Sequence, residues 1–321
     1  MTLHGIGLVA GQEVRTRLRT GRWKILLATW CLVVNALGIM FRVSLDGTAG
    51  PYTGENDNGV IMFGALLLAV LVLTLLVVPV LSAQSINGDR ERGTLATLQV
   101  TRLTAGDIAF GKLAAAWGTG LVILGLALPA ALIPVIEGAI GPGRALVVVA
   151  VVALQIGIIC AMAQGWSAIL ARSITSMMMS YLTVFALLAL TPIVYNLALP
   201  LTAEKVHGGD YSYNKSHSER VWWLLAPNPV VVLADASPRV PKRPVGPDEY
   251  RSEPTDPLGD LGRDVRHIRT GHHGDDTDGF GAAVWPYGMG FNLALAGGAV
   301  WLTRRRLTIP AHHLPKGIRV A

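Results

Sequence analysis

The chain has 321 residues, of which 51% are hydrophobic and only 15% charged, with a mean hydropathy of +0.47. Ordinary soluble domains carry about 25% charged residues, so composition alone excludes a soluble globular protein and indicates a membrane protein. The formal charge of +6 is a matter of topology rather than of nucleic-acid binding, and the two cysteines, Cys31 and Cys160, lie in apolar runs as small hydrophobes that cannot build a disulfide framework.

Residues 1–24 place Leu3, Ile6, Ala10, Val14 and Leu18 at helical spacing, with Arg15, Arg19 and Arg22 on another face. This suits a helix lying in a membrane interface, its arginines near anionic lipid. Gly5, Gly7 and Gly11 weaken such a helix, which leaves a frayed basic tail as the alternative. The first apolar stretch starts only at Ile25 and has no convincing small-residue cleavage site, so it does not read as a signal peptide.

A helix needs about 20 apolar residues to cross the hydrocarbon core. Six candidate spans follow: Ile25–Phe41, Val60–Leu81, Leu113–Val135, Ala145–Leu170, Met177–Leu197 and Gly281–Thr303. The expected fold class is therefore all-α integral membrane. Its layout is an interfacial helix over 1–24, spans one to five within 25–198, an outer loop over 199–280, a sixth span over 281–303 and a tail over 304–321. Pro79, Pro129, Pro134 and Pro192 can kink or end their helices. Small residues at Gly157, Ala161 and Gly165, and at Gly290, Ala294 and Gly298, allow close helix packing.

The basic residues sort to one face. Arg15, Arg17, Arg19, Arg22 and Lys24 precede the first span; Arg90, Arg92, Arg102 and Lys112 lie between the second and third, and Arg172 between the fourth and fifth. Arg304, Arg305, Arg306, Lys316 and Arg319 follow the sixth, whereas the short loops of the other face hold only Arg42 and Arg144. The positive-inside rule places both termini and the 82–112 loop in the cytoplasm of a multi-pass cell-membrane protein.

No candidate span contains Asp, Glu, Lys, Arg or His, which argues against an ion- or proton-coupled transporter powered by its own chain. The polar groups left inside are hydroxyls and amides. Asn35, Gln155, Gln164, Asn196 and Asn292 are candidate pathway-lining residues, with plain interhelical hydrogen bonding as the alternative.

The outer segment 199–280 carries 10 Lys/Arg and 13 Asp/Glu. Its stretch SPRVPKRPVGPDEYRSEPTDPLGD is proline-rich and expected to be largely irregular. Before it, VWWLLAPNPVVVLADA (221–236) is too short to span and suits an interfacial or re-entrant helix, with Trp222 and Trp223 at headgroup level. GHHGDDTDG (271–279) lacks the spacing of a calcium loop and reads as a solvated loop, so no metal site is expected. GWSA (165–168) has no basic partner for Ser167 within the spans. The sequence also lacks a GxxxxGK[ST] phosphate loop, so the chain itself is not expected to hydrolyse ATP or to bind a cofactor.

The most informative stretch is NGDRERGTLATLQVTRLTAGDIAFGK (87–112). Asp89 to Arg92 can extend span two into water as a charged turn. Gly93 permits a break, Thr94, Leu95 and Leu98 suit a short amphipathic helix, and Thr104 with Asp107 forms an N-cap pair leading into span three. With Arg90-Glu91-Arg92-Gly93-Thr94-Leu95 followed by Gly111-Lys112, this stretch resembles the cytoplasmic loop of ABC transporter permeases of the type-2 class. It departs from that pattern at Ala96 and Arg102 and in the length of the outer loop.

The resemblance implies a permease subunit, not an enzyme and most simply an exporter, that pairs with a second permease copy or paralogue. It also implies ATP and Mg bound on separate ABC ATPase subunits, with Arg90, Glu91, Arg92, Gly93, Thr94, Leu95 and Leu98 forming the coupling helix that docks on them. A membrane assembly or sensing subunit, with a ligand-binding outer loop and no transport of its own, is the alternative function.

Overall fold

Backbone groups inside a membrane must be satisfied within the protein, and over most of the candidate spans helices do so. The computed structural model describes residues 2–19, 21–48, 54, 56–93, 103–208, 211–241, 255–271 and 282–308. Its helices are α1 (Leu3–Leu18), α2 (Gly21–Thr48), α3 (Asp57–Ser82), α4 (Asn87–Glu91), α5 (Ala105–Gly125), α6 (Leu128–Ile136), α7 (Pro142–Ile169) and α8 (Ser173–Phe185). A π-helical turn, Ala186–Leu190, joins α8 to α9 (Thr191–Ala198). An antiparallel hairpin, β1 (Glu204–Gly208) and β2 (Tyr211–Lys215), then precedes α10 (Pro229–Ala236), α11 (Pro257–Thr270) and α12 (Trp285–Leu307).

Among the described residues five helical stretches are long and apolar enough to cross a membrane: Trp23–Gly47, Asp57–Glu91, Ala105–Gly125, Pro142–Ile169 and Ser173–Thr202. They correspond to expected spans one to five. Over the sixth, α12 has 23 residues, but Pro286, Asn292 and four glycines leave it less apolar than those five. The second, third and fourth spans are more than half buried, whereas the first and fifth lie at the periphery. The core forms where Phe63, Leu66, Leu67 and Leu71 of α3 meet Val148, Val152, Ile156 and Ile159 of α7.

Glycines set the closest approaches. A Cβ on Gly120 of α5 would stand 2.3 Å from Ile156, and one on Gly165 of α7 would stand 2.9 Å from Ala299 of α12. The small-residue stripe of α7 is divided between two neighbours. Gly157 faces Trp117 of α5 rather than α12, and a Cβ on Gly290 or Gly298 would meet nothing within 4 Å. Contact on α12 is made instead at Ala299 and at Gly288, which lies against the Ala226 carbonyl.

Two spans are not continuous α-helices. Span three breaks at Leu126 and Ala127, between α5 and α6, just before Pro129. Span five contains the π-turn just before Pro192. Missing proline N–H groups and ring clashes account for interruptions at these places.

Part of the proline-rich segment proves to be ordered. Asp256 N-caps α11 by accepting from Gly259 N at 3.0 Å, and Pro257 occupies the first helical turn, where its missing N–H does no harm. Leu258 then packs over Gly64 of α3, and Gly262 brings α11 against the Ala234 carbonyl of α10. The short helix foreseen in 221–236 is α10, with Val232, Leu233, Ala234 and Asp235 fully buried.

Candidate functional site

The charged turn after span two is only partly exposed: Glu91 and Arg92 are exposed, whereas Asp89 is buried. Helix α4 folds back onto the end of the bundle, and its polar groups reach several neighbouring elements. The Ile86 and Asn87 N–H groups both donate to Ser167 Oγ of α7 at 3.1 Å, so a side chain from span four caps α4. Arg90 Nη1 donates to Asn87 Oδ1 at 3.2 Å and to the Leu170 carbonyl at the end of α7 at 3.4 Å. Glu91 Oε1 accepts from Ser173 N at 3.2 Å and Ser173 Oγ at 2.7 Å, at the first residue of α8. Helix α4 thus spans the turn between spans four and five.

Its other flank carries an ion cluster. Asp89 Oδ2 lies 2.6 Å from Lys112 Nζ of α5, and Lys112 is also 3.6 Å from Glu13 Oε2 of α1. Arg92, largely exposed, reaches Asp89 Oδ1 at 3.5 Å. Only 2% of the Lys112 side chain is accessible, so this ammonium depends on its carboxylates. Beneath the cluster Ile86, Ile108, Ala109, Ala168 and Leu307 form a small apolar core of their own. After α4 the chain turns away at Gly93, whose φ of +69° suits glycine.

Helix α1 is part of this junction. The expected capping box is present: Thr104 Oγ1 accepts from Asp107 N at 3.2 Å, and Asp107 Oδ2 accepts from Thr104 N at 3.0 Å. Asp107 Oδ1 additionally accepts from Thr2 N at 2.8 Å. A Cβ on Gly111 would fall 2.6 Å from Val9 Cβ, and one on Gly5 would fall 3.0 Å from Asp107. The glycines counted against α1 therefore include one that lets it seat on α5. Its packed side carries Gly5 and Val9, and Leu3 is 89% exposed.

Of the residues proposed to dock a partner, Arg90, Glu91, Arg92 and Gly93 belong to this junction, whereas Thr94, Leu95 and Leu98 lie outside the described residues. Asp89, Ser167 and Ser173 were not anticipated as members. The position of Asp89 inside the motif was a usable signal, but nothing in the sequence near Ser167 pointed to α4.

The five candidate pathway amides separate clearly. Asn35 Nδ2 donates to the Leu126 carbonyl at 2.8 Å and its Oδ1 accepts from Ala130 N at 3.0 Å, so one carboxamide takes both halves of the helical hydrogen bond missing at the break in span three. Gln164 Nε2 donates to the Ala109 carbonyl at 2.9 Å, and Asn292 Nδ2 to the Pro227 carbonyl at 2.9 Å. Asn196 is exposed and bonds back to Pro192 O. Gln155, fully buried in α7, has no hydrogen-bond partner for either polar atom among the described residues.

At the other end of the bundle, Asp235 of α10 accepts from Val284 N at 2.6 Å, Trp285 N at 2.8 Å, Arg266 Nε at 2.6 Å and Arg239 Nη2 at 3.0 Å. Nearby, Trp222 and Tyr287 meet edge to face with centroids 5.4 Å apart, and the Arg269 guanidinium lies against both rings, 4.9 Å and 4.6 Å from their centroids, and donates to the Ala283 carbonyl. The GHHGDDTDG loop lies outside the described residues apart from Gly271. Among those described, no group of three or more His, Cys, Asp or Glu residues could hold a metal ion.

The fold and these contacts define a predominantly helical, membrane-embedded protein. No protein-family model matches the chain, and no curated protein matches it.

Proposed function

We propose that the chain is the permease subunit of an ATP-binding-cassette transporter, acting as an exporter, with both termini and the 82–112 loop in the cytoplasm. Hydrolysis takes place on separate ATPase subunits, and a second permease copy or paralogue completes the pathway. The observation that carries this reading is the α4 junction. The residues resembling the type-2 coupling motif, Arg90-Glu91-Arg92-Gly93 and Gly111-Lys112, sit where α1, α5, α7 and α8 converge.

Such an arrangement suits force transmission. A partner that displaces segment 94–102 pulls on α4 through Gly93. Helix α4 in turn holds the end of span four through Ser167 and Leu170, the start of span five through Ser173, and span three through Lys112. Packed elements with discrete hydrogen-bonded arrangements are how such displacements are carried over distance. Gln155 is the amide best placed to act on a pathway, because among the described residues nothing engages its polar atoms.

The test is Leu95→Asp. An unpaired carboxylate placed at an apolar contact costs several kcal/mol to desolvate, enough to abolish co-purification with the cassette ATPase while the permease still elutes as a folded species. Asp256 serves no docking role in this reading, but it caps α11, so the control change is Arg251→Gln in the outer segment. Normal ATPase binding and transport by Leu95→Asp would overturn the coupling role.

A further inference from the structure

Helix α10 closes the end of the bundle opposite α4. It packs against α3, α7, α11 and α12, and Val232, Leu233, Ala234 and Asp235 have no accessible surface. Two devices hold it. On one side Asp235 gathers the N–H groups opening α12 and the Arg266 side chain of α11. On the other side stands Asn228, the residue just before α10.

Asn228 is 5% exposed and uses both ends of its carboxamide. Its Oδ1 caps α10, accepting from Val230 N at 2.9 Å and Val231 N at 3.5 Å. Its Nδ2 crosses to span five and donates to the Leu188 carbonyl and to Thr191 Oγ1, both at 3.0 Å. The α-helical donor for Leu188 O would be the N–H of residue 192, which is a proline. Thr191 Oγ1 in turn donates to the Leu187 carbonyl at 2.8 Å. The π-turn of span five and the start of α10 are thus joined through a single amide at a backbone acceptor that the proline has released.

We infer that Asn228 is a positioning residue that ties α10 to the π-turn of span five, so that α10 shifts only when that turn rearranges. Turns of this kind inside helices occur frequently at functional sites. In a buried, water-poor setting neither partner can release the other without leaving a polar group unpaired. The inference rests on the transport reading for its purpose, as α10 would be the element that must yield for passage, but the link itself can be measured without transport.

The experiment uses the full chain in nanodiscs, with Cys31→Ala and Cys160→Ala, and Val232→Cys as a probe of α10. The rate at which a water-soluble maleimide alkylates that thiol reports how often α10 leaves its seat. Asn228→Ser keeps a good N-cap for α10, but its side chain is too short to reach Leu188. Pro192→Ala weakens the same link from the other side by restoring a backbone N–H that competes with the Asn228 amide for Leu188 O.

Each change alone is expected to speed alkylation about tenfold, and the two together also about tenfold rather than a hundredfold, as for residues sharing one interaction. Asp235→Asn, which loosens the independent anchor, should multiply with Asn228→Ser. Elution as a single species and an unchanged helical signal confirm the fold. If Asn228→Ser does not fold, Pro192→Ala alone must accelerate labelling. Unchanged labelling in the folded variants, or multiplicative effects of Asn228→Ser and Pro192→Ala, would overturn the link. Neither result depends on ATPase binding, so failure of the permease reading in the Leu95→Asp test is separately visible.

Discussion

Lys112 Nζ lies 2.6 Å from Asp89 Oδ2, joining the eighth residue of α5 to the short helix α4 that follows span two. Lys112 is almost entirely removed from solvent and Asp89 nearly so, with Glu13 closing the cluster from α1. An ion pair of this kind adds little over apolar side chains of the same shape, but losing one partner strands a charge.

Lys112→Met is therefore expected to destabilise the protein by about 3 kcal/mol, the lower end of the usual range, because Arg92 still faces Asp89. Asp89→Asn in the same chain should recover most of that loss. Thermal unfolding of the single and double variants in detergent checks this. A double variant as unstable as Lys112→Met alone would show that the pair is not what holds the junction.

The parts of this junction that were legible in the sequence are those whose partners are close along the chain. The capping box of Thr104 and Asp107, three residues apart, and the break at Gly93 follow from local chemistry. The remainder depends on satisfying backbone groups across long separations. Proline positions mark where spans three and five are interrupted, but Asn35 lies 91 residues from the Leu126 carbonyl it serves, and Asn228 lies 40 from Leu188. No periodicity announces such a pairing. Helix α11 is a different kind of miss. Its Asp256–Pro257 start and the apolar spacing of Leu258, Leu261 and Val265 were readable, but the surrounding prolines outweighed them.

Orientation is the next expectation. Basic residues gather at the α4 end of the bundle, where Arg90, Arg92, Lys112, Arg172 and Arg304 to Arg306 are found. On the positive-inside rule that end is expected to be cytoplasmic. A reporter fused after Arg306 should be active only as a cytoplasmic fusion, and one inserted at Pro244 only when exported. The opposite pattern would remove the coupling role along with the topology.

Acid should loosen the hairpin. Hydrogen bonding to Arg220, followed by the charge of the same residue, lowers the pKa of Glu204 below its ordinary 4.5. Glu219 is lowered by its own backbone N–H and then by His217. A carboxylate whose folded pKa is depressed contributes stability that is complete above the unfolded value and is lost as pH falls through the folded one. Hydrogen exchange of the β1 and β2 amides, corrected for its intrinsic pH dependence, should show lower protection below about pH 4 than at about pH 5.5. Glu204→Gln should abolish much of that response. Protection that is flat down to pH 3 would mean these contacts do not hold the hairpin.

Gln155 gives the sharpest separation between a structural and a functional residue. Its amide is fully buried in α7, and among the described residues neither Nε2 nor Oε1 has a hydrogen-bond partner. Burying an amide without partners costs about 1–3 kcal/mol by mutational measures. Leucine has a similar volume and no such cost, so Gln155→Leu should raise stability by about that amount. For a chain this large, each kcal/mol corresponds to about 1.5 °C in Tm. Asn35→Leu supplies the contrast. Removing that carboxamide leaves Leu126 O and Ala130 N without it at the break in span three, and should lower Tm. If Gln155 also serves the pathway, Gln155→Leu will be more stable and yet transport more slowly, a combination that simple repacking of the core does not produce. A fall in Tm for Gln155→Leu would show that the amide is held by partners after all, and its assignment to a pathway would lose its basis.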